Sequence, residues 1–257
     1  MADGVQAAGP LAGKVAIVTG VRGIGAGVAG ALVAAGACVA LVDVDGQQAE
    51  ATAAVLGGPR QALPVTCDVA DRAQVDATVA AVAAWRGRVD VLVNCAQWVR
   101  AGVPLLELSA ADLSRTLESG LWGTFHMMQA CHPHLSARGG AIVNFGSSAG
   151  THGQRGLGGY AAAKEGIRGL SRVAALEWGR DGITVNVVCP SVMSPPAQAW
   201  AREHPEVHQA MAAGRAVPRD GDALTDVGAA VVFLAGPGAT FISGETLMVN
   251  GGGTLRP

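Results

Sequence analysis

Tyr160 stands four residues before Lys164 and thirteen after Ser147. Residues four apart on a helix share one face, and an ammonium there favours the phenolate, so Tyr160 is expected to ionise below the reference phenol pKa of about 10. A phenolate near neutral pH can take the proton of an alcohol as hydride leaves its carbon, and the phenol can return that proton when a carbonyl is reduced. Ser147, placed at the end of a strand, can hydrogen-bond the same substrate oxygen and hold it in line. The plain alternative is a surface tyrosine and lysine on an amphipathic helix.

Hydride chemistry needs a carrier, and the beginning of the chain offers a place for one. An apolar strand runs into Thr19-Gly20-Val21-Arg22-Gly23-Ile24-Gly25 and then into an alanine-rich helix. Glycines let the backbone turn tightly and approach a pyrophosphate at a helix N-terminus, where unpaired N–H groups and the helix dipole favour negative charge. In a chain with 37 glycines this turn is weak by itself. Asp43, eighteen residues after Gly25 at the end of the second strand, strengthens it, because an acid there accepts hydrogen bonds from the ribose hydroxyls of an adenosine. A 2′-phosphate would meet a like charge, so NAD is favoured over NADP. The competing role for Asp43 is to cap the next helix, a position that Asp45 fits better.

The elements that must position these groups alternate. Short β-branched runs at 15–19, 38–42, 61–66, 89–94, 141–145, 183–188 and 246–249 are separated by helical stretches at 25–35, 47–56, 72–85, 110–135, 159–178 and 222–234. That is the pattern of βαβ units feeding one parallel sheet, and strands apolar throughout imply helices on both faces. The expected fold is α/β, Rossmann-like and doubly wound, with about seven strands. Ser109 with Asp112 forms a capping box, and Asp68 to Asp71 supplies acceptors ahead of the third helix. Residues 190–219 break the alternation and read as a substrate flap.

With 50% hydrophobic and 15% charged residues, the chain can bury one sizeable core, so residues 11–257 are expected to form a single domain behind a flexible segment 1–10. No apolar run approaches the roughly 18 residues of a membrane helix, and residues 1–10 carry no signal or transit pattern. A cytoplasmic location is expected. A net charge of −2 without basic runs leaves no footprint for nucleic acid or an anionic membrane. Five widely spaced cysteines, each in or beside an apolar run, read as reduced thiols. His126, His132 and His134 around Cys131 fit a helix end better than zinc, so no metal is expected.

From Leu11 to Gly253 the sequence resembles the short-chain dehydrogenase/reductase family, most specifically through Ser147 and Tyr160-Ala161-Ala162-Ala163-Lys164. The match of all three positions argues against the surface-helix alternative. The resemblance implies that Asp68 and Val69 contact the adenine, that Asn94-Cys95-Ala96 lies beneath its ribose, and that Pro190 to Val192 lies beside the nicotinamide. It also implies that Lys164 binds the nicotinamide ribose, that Val249-Asn250-Gly251-Gly252 is the closing strand, and that helices 110–135 and 159–178 pair into a homotetramer or dimer. The implied activity is NAD-dependent interconversion of a secondary alcohol, such as a cyclic or aromatic alcohol or a dihydrodiol, with its ketone. An NADPH-dependent ketoreductase and a non-catalytic cofactor-binding homologue stay open as alternatives.

Four departures from the family pattern stand out. Only Val21 and Arg22 separate Gly20 from Gly23, one residue fewer than usual, which is expected to reshape the phosphate loop. Gln97 and Ser191 replace glycines. Gly120 replaces the helix asparagine that in the family helps retain a water linking the lysine to solvent, so a missing side chain and slower proton exchange are expected, with Gly120→Asn as the repair. In the irregular segment Met193, Pro195, Pro196, Trp200 and Met211 suggest an apolar substrate, Trp200 serving equally well as an anchor, and Arg202, His204, His208 and Arg215 either meet a carboxylate or, as is usual for charged flap residues, are solvated.

Overall fold

The computed structural model describes residues 9–193 and 195–255, with residues 195–197 and 211 given by backbone only. Residues 1–8 of the expected flexible segment, and the side chains of Pro195, Pro196 and Met211, lie outside the described residues.

Seven strands form one parallel sheet: β1 (Val15–Thr19), β2 (Cys38–Asp43), β3 (Ala62–Thr66), β4 (Val91–Asn94), β5 (Gly140–Phe145), β6 (Ile183–Pro190) and β7 (Thr246–Val249). Their order is β3-β2-β1-β4-β5-β6-β7. The expected Rossmann-like α/β architecture is therefore the observed one. Side chains alternate across a strand, and each strand feeds two cores. Ala16, Val18, Val39 and Leu41 pack on one face against Val28 and Leu32 of α1 (Ile24–Ala34) and Val231 of α10 (Ala229–Ala235). Val15, Ile17, Ala40 and Val42 pack on the other against Val75 and Val79 of α3 (Arg72–Arg86) and Met127 and Leu135 of α5 (Gly123–Ser136). Strand order reverses between β1 and β4, which opens a crevice at the carboxyl ends of the strands.

The remaining helices are α2 (Gly46–Val55), α4 (Ala110–Leu117), α6 (Ser148–His152), α7 (Gly158–Trp178), α8 (Pro195–Glu203) and α9 (Pro205–Ala213). Side chains cap them where the sequence indicated. Asp45 accepts from the Gln48 N–H at 3.2 Å, Asp71 from Ala73 and Gln74, and Ser109 from Asp112 at 3.0 Å. Two expected helices are not uniform. The stretch 110–135 divides into α4 and α5 around a wide π turn, Glu118–Trp122, and the stretch 222–234 opens with another, Ala223–Gly228. Such turns mark strain or function inside an α-helical path. The irregular 190–219 region holds α8 and α9. No helix among the described residues is long and apolar enough to cross a membrane.

Candidate active site

The crevice at the carboxyl ends contains two adjoining cavities. One, of about 330 Å³, is lined by Gly20, Arg22, Asp43, Asp68, Val69 and Ala96 among others. The second, of about 340 Å³, is lined by Gly20, Arg22, Gly23, Ile24, Gly25, Tyr160, Lys164, Pro190 and Val192, with Phe145 and Met193. Gly20, Arg22, Cys95 and Gln97 border both. Positions far apart in the sequence thus converge on one cleft, with Asp43 and Asp68 at one end and the tyrosine–lysine pair at the other.

The glycine turn between β1 and α1 has the shape that close backbone approach requires. Gly20 has a φ of 72° and donates its N–H to the Val42 carbonyl at 2.8 Å. A Cβ there would lie 2.6 Å from the Ala96 Cα, and one on Gly25 would overlap the Gly20 carbonyl oxygen. Gly23 has a φ of 53° and leaves the first turn of α1 uncapped by any side chain. The shortened loop still presents a helix N-terminus without a side-chain cap, which suits a pyrophosphate. Asp43, 8% exposed, accepts from the Val21 N–H at 3.0 Å and the Asp45 N–H at 3.0 Å. It therefore braces the glycine turn while bordering the recess of the first cavity, and Asp45 does the helix capping. The Arg22 guanidinium, at the same rim, pairs with Asp45.

Asp68 is exposed at the recess and accepts from the Ala70 N–H at 3.0 Å. Val69 closes the recess against Gly123, where a Cβ would meet its side chain. Asn94 is not brought to either cavity. Its amide donates to Asn144 Oδ1 at 2.8 Å, and Asn144 donates to Ser171 at 2.9 Å. These bonds tie β4 and β5 to α7, so Asn94 sets the position of the helix that carries Tyr160 and Lys164.

Ser147 lies just beyond β5 and caps α6, accepting from the Ala149 N–H at 3.1 Å. Tyr160 and Lys164 share a face of α7, with the Lys164 Nζ 5.5 Å from the centre of the tyrosine ring. The expected depression of the phenol pKa is not found. Burial pushes Tyr160 above the ordinary phenol value, a hydrogen bond from Ser147 pulls it back, and Cys189 adds a small upward push. The ammonium lies over the ring face rather than beside the oxygen, and it is itself disfavoured. Lys164 is 3% exposed, and burial lowers its pKa to about 8 against partial support from Cys95 and Cys189. Both groups are thus biased toward their neutral forms.

Cys95, expected within the segment beneath the ribose, and Gln97, a departure from the family pattern, border both cavities. Burial raises the Cys95 thiol to about 12, so it is a packing group and not a nucleophile. Gln97 corrects a second expectation. The space at Gly120 is not vacant: a Cβ there would overlap Gln97 Oε1, with Cδ at 2.7 Å and Nε2 at 2.8 Å. The loop side chain occupies the place that the helix lacks, and nothing in either residue alone announces a partner 23 positions away. Two flap expectations also change. His208 and Arg215 are half-buried and converge on Asp220 at 2.8 and 2.9 Å, while Arg202 and His204 are exposed. Trp200 stacks on His204 within α8 and the residue that follows it.

Known proteins are similar in sequence over nearly the whole chain. A family model described as Enoyl-(Acyl carrier protein) reductase matches residues 18–254. The 12alpha-hydroxysteroid dehydrogenase of Clostridium sp. is 41% identical over 95% of this chain and 98% of its own length. The D-threitol dehydrogenase of Mycolicibacterium smegmatis is 44% identical over 96% of this chain and 95% of its own. The cis-4-hydroxycyclohexanecarboxylate dehydrogenase of Sinomonas cyclohexanicum is 37% identical over 94% and 96%. With its parallel sheet, its glycine turn and the Tyr160–Lys164 pair in the cleft, the chain belongs to the short-chain dehydrogenase/reductase family.

Proposed function

We propose that this protein is an NAD(H)-dependent oxidoreductase that interconverts a secondary alcohol and its ketone, with Tyr160 handling the proton. The observation that carries this reading is the shared cleft: the glycine turn and Asp43 border one end and Tyr160 and Lys164 the other. A nicotinamide cofactor bound there supplies or accepts the hydride. N–H groups at the start of α1 hold its pyrophosphate, and Asp43 accepts from the adenosine ribose. The Arg22 guanidinium is engaged by Asp45, so among the described residues lining the Asp43 cavity no unpaired cation faces a 2′-phosphate. This supports NAD.

Ser147 and Tyr160 present hydroxyls to the substrate oxygen. Because burial keeps the phenol protonated at neutral pH, Tyr160 is ready to donate to the oxygen of a ketone being reduced, and alcohol oxidation requires its base form and accelerates as pH rises. Lys164 binds the nicotinamide ribose and, when charged, favours the phenolate. Pro190 and Val192 form the wall beside the reacting ring. Trp98, with the Arg115 guanidinium 4.4 Å from its ring centre, stands at the outer edge of the cleft. The names of the relatives, which act on a hydroxysteroid, a tetritol and a hydroxycyclohexane acid, support a polyol or ring-borne secondary alcohol as substrate. In this reading the enzyme is a cytoplasmic homotetramer.

NADH formation with a panel of cyclic secondary alcohols and polyols tests the reading. Tyr160→Phe is expected to lower turnover by roughly 10²- to 10⁴-fold while NADH affinity stays within about tenfold. Retention of more than about a tenth of the wild-type rate, with chemistry rate-limiting, overturns the assignment of Tyr160.

A further inference from the structure

The wall between the two cavities is built in an unusual way. Gln97 follows the end of β4 and donates both amide hydrogens, to the Trp98 carbonyl at 2.7 Å and to the Thr116 carbonyl of α4 at 2.9 Å. The Trp98 N–H in turn donates to Ser119 at 2.9 Å. These bonds clamp the loop to the π turn Glu118–Trp122, and they leave the amide no freedom to flip. Gln97 Oε1 is therefore fixed against Gly120, buried and without a hydrogen-bond partner among the described residues.

A buried amide oxygen without a donor costs about 1–3 kcal/mol, and such groups in folded proteins mark a bound water or a functional constraint. The same cavity contains a buried ammonium. Lys164 borders it beside Tyr160, Cys95 and Gln97. Gln97, with its buried unpaired oxygen, and Lys164, with its buried ammonium, thus line a single recess.

We propose that Gln97 is a positioning residue for Lys164: its carboxamide fills the place left open by Gly120, and its oxygen accepts from the water through which the Lys164 ammonium exchanges protons with solvent. This rests on the reading of Lys164 as part of the proton-handling pair. Gln97 and Gly120 then act as a matched pair, in which an amide supplied by the loop needs a glycine on the helix. A side chain on residue 120 is harmful while Gln97 is present and useful only when Gln97 is absent.

Lys14 and Lys164 are the two lysines of the chain, so isotope-labelled lysine gives two NMR titrations, assigned with Lys14→Arg. The experiment compares wild type, Gln97→Met, Gly120→Asn and the double variant Gln97→Gly/Gly120→Asn. In the cofactor-free protein, Gln97→Met is expected to move the Lys164 midpoint clearly downward, because the ammonium loses its acceptor chain. With NAD and cyclohexanol as probes, turnover should fall about tenfold with an enlarged solvent isotope effect, while the KM for NAD stays within about twofold. Gly120→Asn alone should lose activity, and the double variant should recover to within about threefold of wild type.

An unchanged Lys164 titration in folded Gln97→Met overturns the proposal, as does a double variant no better than the worse single variant. The lysine titration needs no turnover, so it judges Gln97 even if the probe alcohol is not oxidised. Failure of the alcohol-oxidoreductase reading shows separately, as a wild-type protein that forms no NADH with any alcohol.

Discussion

Replacing Lys164 by methionine should make the protein more stable while abolishing its turnover. Burial lowers the lysine from 10.5 to about 8, which corresponds to roughly 3 kcal/mol of destabilisation of the charged form in the fold. The sign follows from proton counts. Below pH 8 the lysine is charged in both the folded and unfolded chains, and folding carries the whole penalty. Between about 8 and 10.5 the folded protein releases its proton first, so the unfolded state binds more protons and stability climbs with pH. Above that range both forms are neutral and the penalty is gone. Methionine has a similar reach and no charge, so Lys164→Met should gain up to about 3 kcal/mol at pH 7, and the gain should shrink toward zero as pH approaches 10.5. Urea unfolding of both proteins at pH 7 and at pH 9–10 measures the difference directly. A variant no more stable than wild type at pH 7, or a difference that does not change with pH, refutes the reasoning. A confirmed gain would show that this lysine is retained for what it does in the cleft at the expense of the fold.

The chain has one tyrosine, so the tyrosinate absorbance of the cofactor-free protein reports Tyr160 alone. Its midpoint should lie above the ordinary phenol value, and Ser147→Ala should raise it further by removing the hydrogen bond that lowers it; a midpoint below 10 would restore the depressed phenol inferred from the Tyr160/Lys164 spacing. Calorimetry should show NADH bound more tightly than NADPH by about 2 kcal/mol, with Asp43→Ser narrowing the gap, and equal affinities in the wild type would remove the basis for naming NAD. Asp43→Ser should also lower the melting temperature, since the Val21 N–H loses its acceptor. Light scattering is expected to give a tetramer mass, consistent with exposed Trp122 on the π turn and Val173 and Leu176 on α7; a monomer mass at micromolar concentration would contradict it.

Much of the cleft could be read from local sequence because its signals are local. A strand followed by Gly20, Gly23 and Gly25 records a turn that other residues cannot make, since Gly20 needs a positive φ and has no room for a Cβ beside Ala96. The four-residue spacing of Tyr160 and Lys164 records a shared helix face, and the alternation of apolar runs with alanine-rich stretches records a doubly covered parallel sheet. Asp45, Asp71 and Ser109 cap helices through bonds that reach only two or three residues along the chain.

What the sequence did not disclose depends on contacts between distant segments and on the dielectric they create. The proximity of Lys164 to Tyr160 suggested a lowered phenol pKa, but the tertiary fold buries both groups, and desolvation opposes charge on each of them. The resemblance alone puts Asn94 beneath the ribose, and the bond of its amide to Asn144 follows only from the pairing of β4 with β5 and the packing of α7. Gln97 and Gly120 each read as a separate departure from the family pattern, because nothing within either local window shows that the side chain of one fills the space of the other. Sequence periodicity determines which face a residue lies on; which atoms meet there, and how much water is left to them, is decided when the loop after β4 closes on the π turn between α4 and α5.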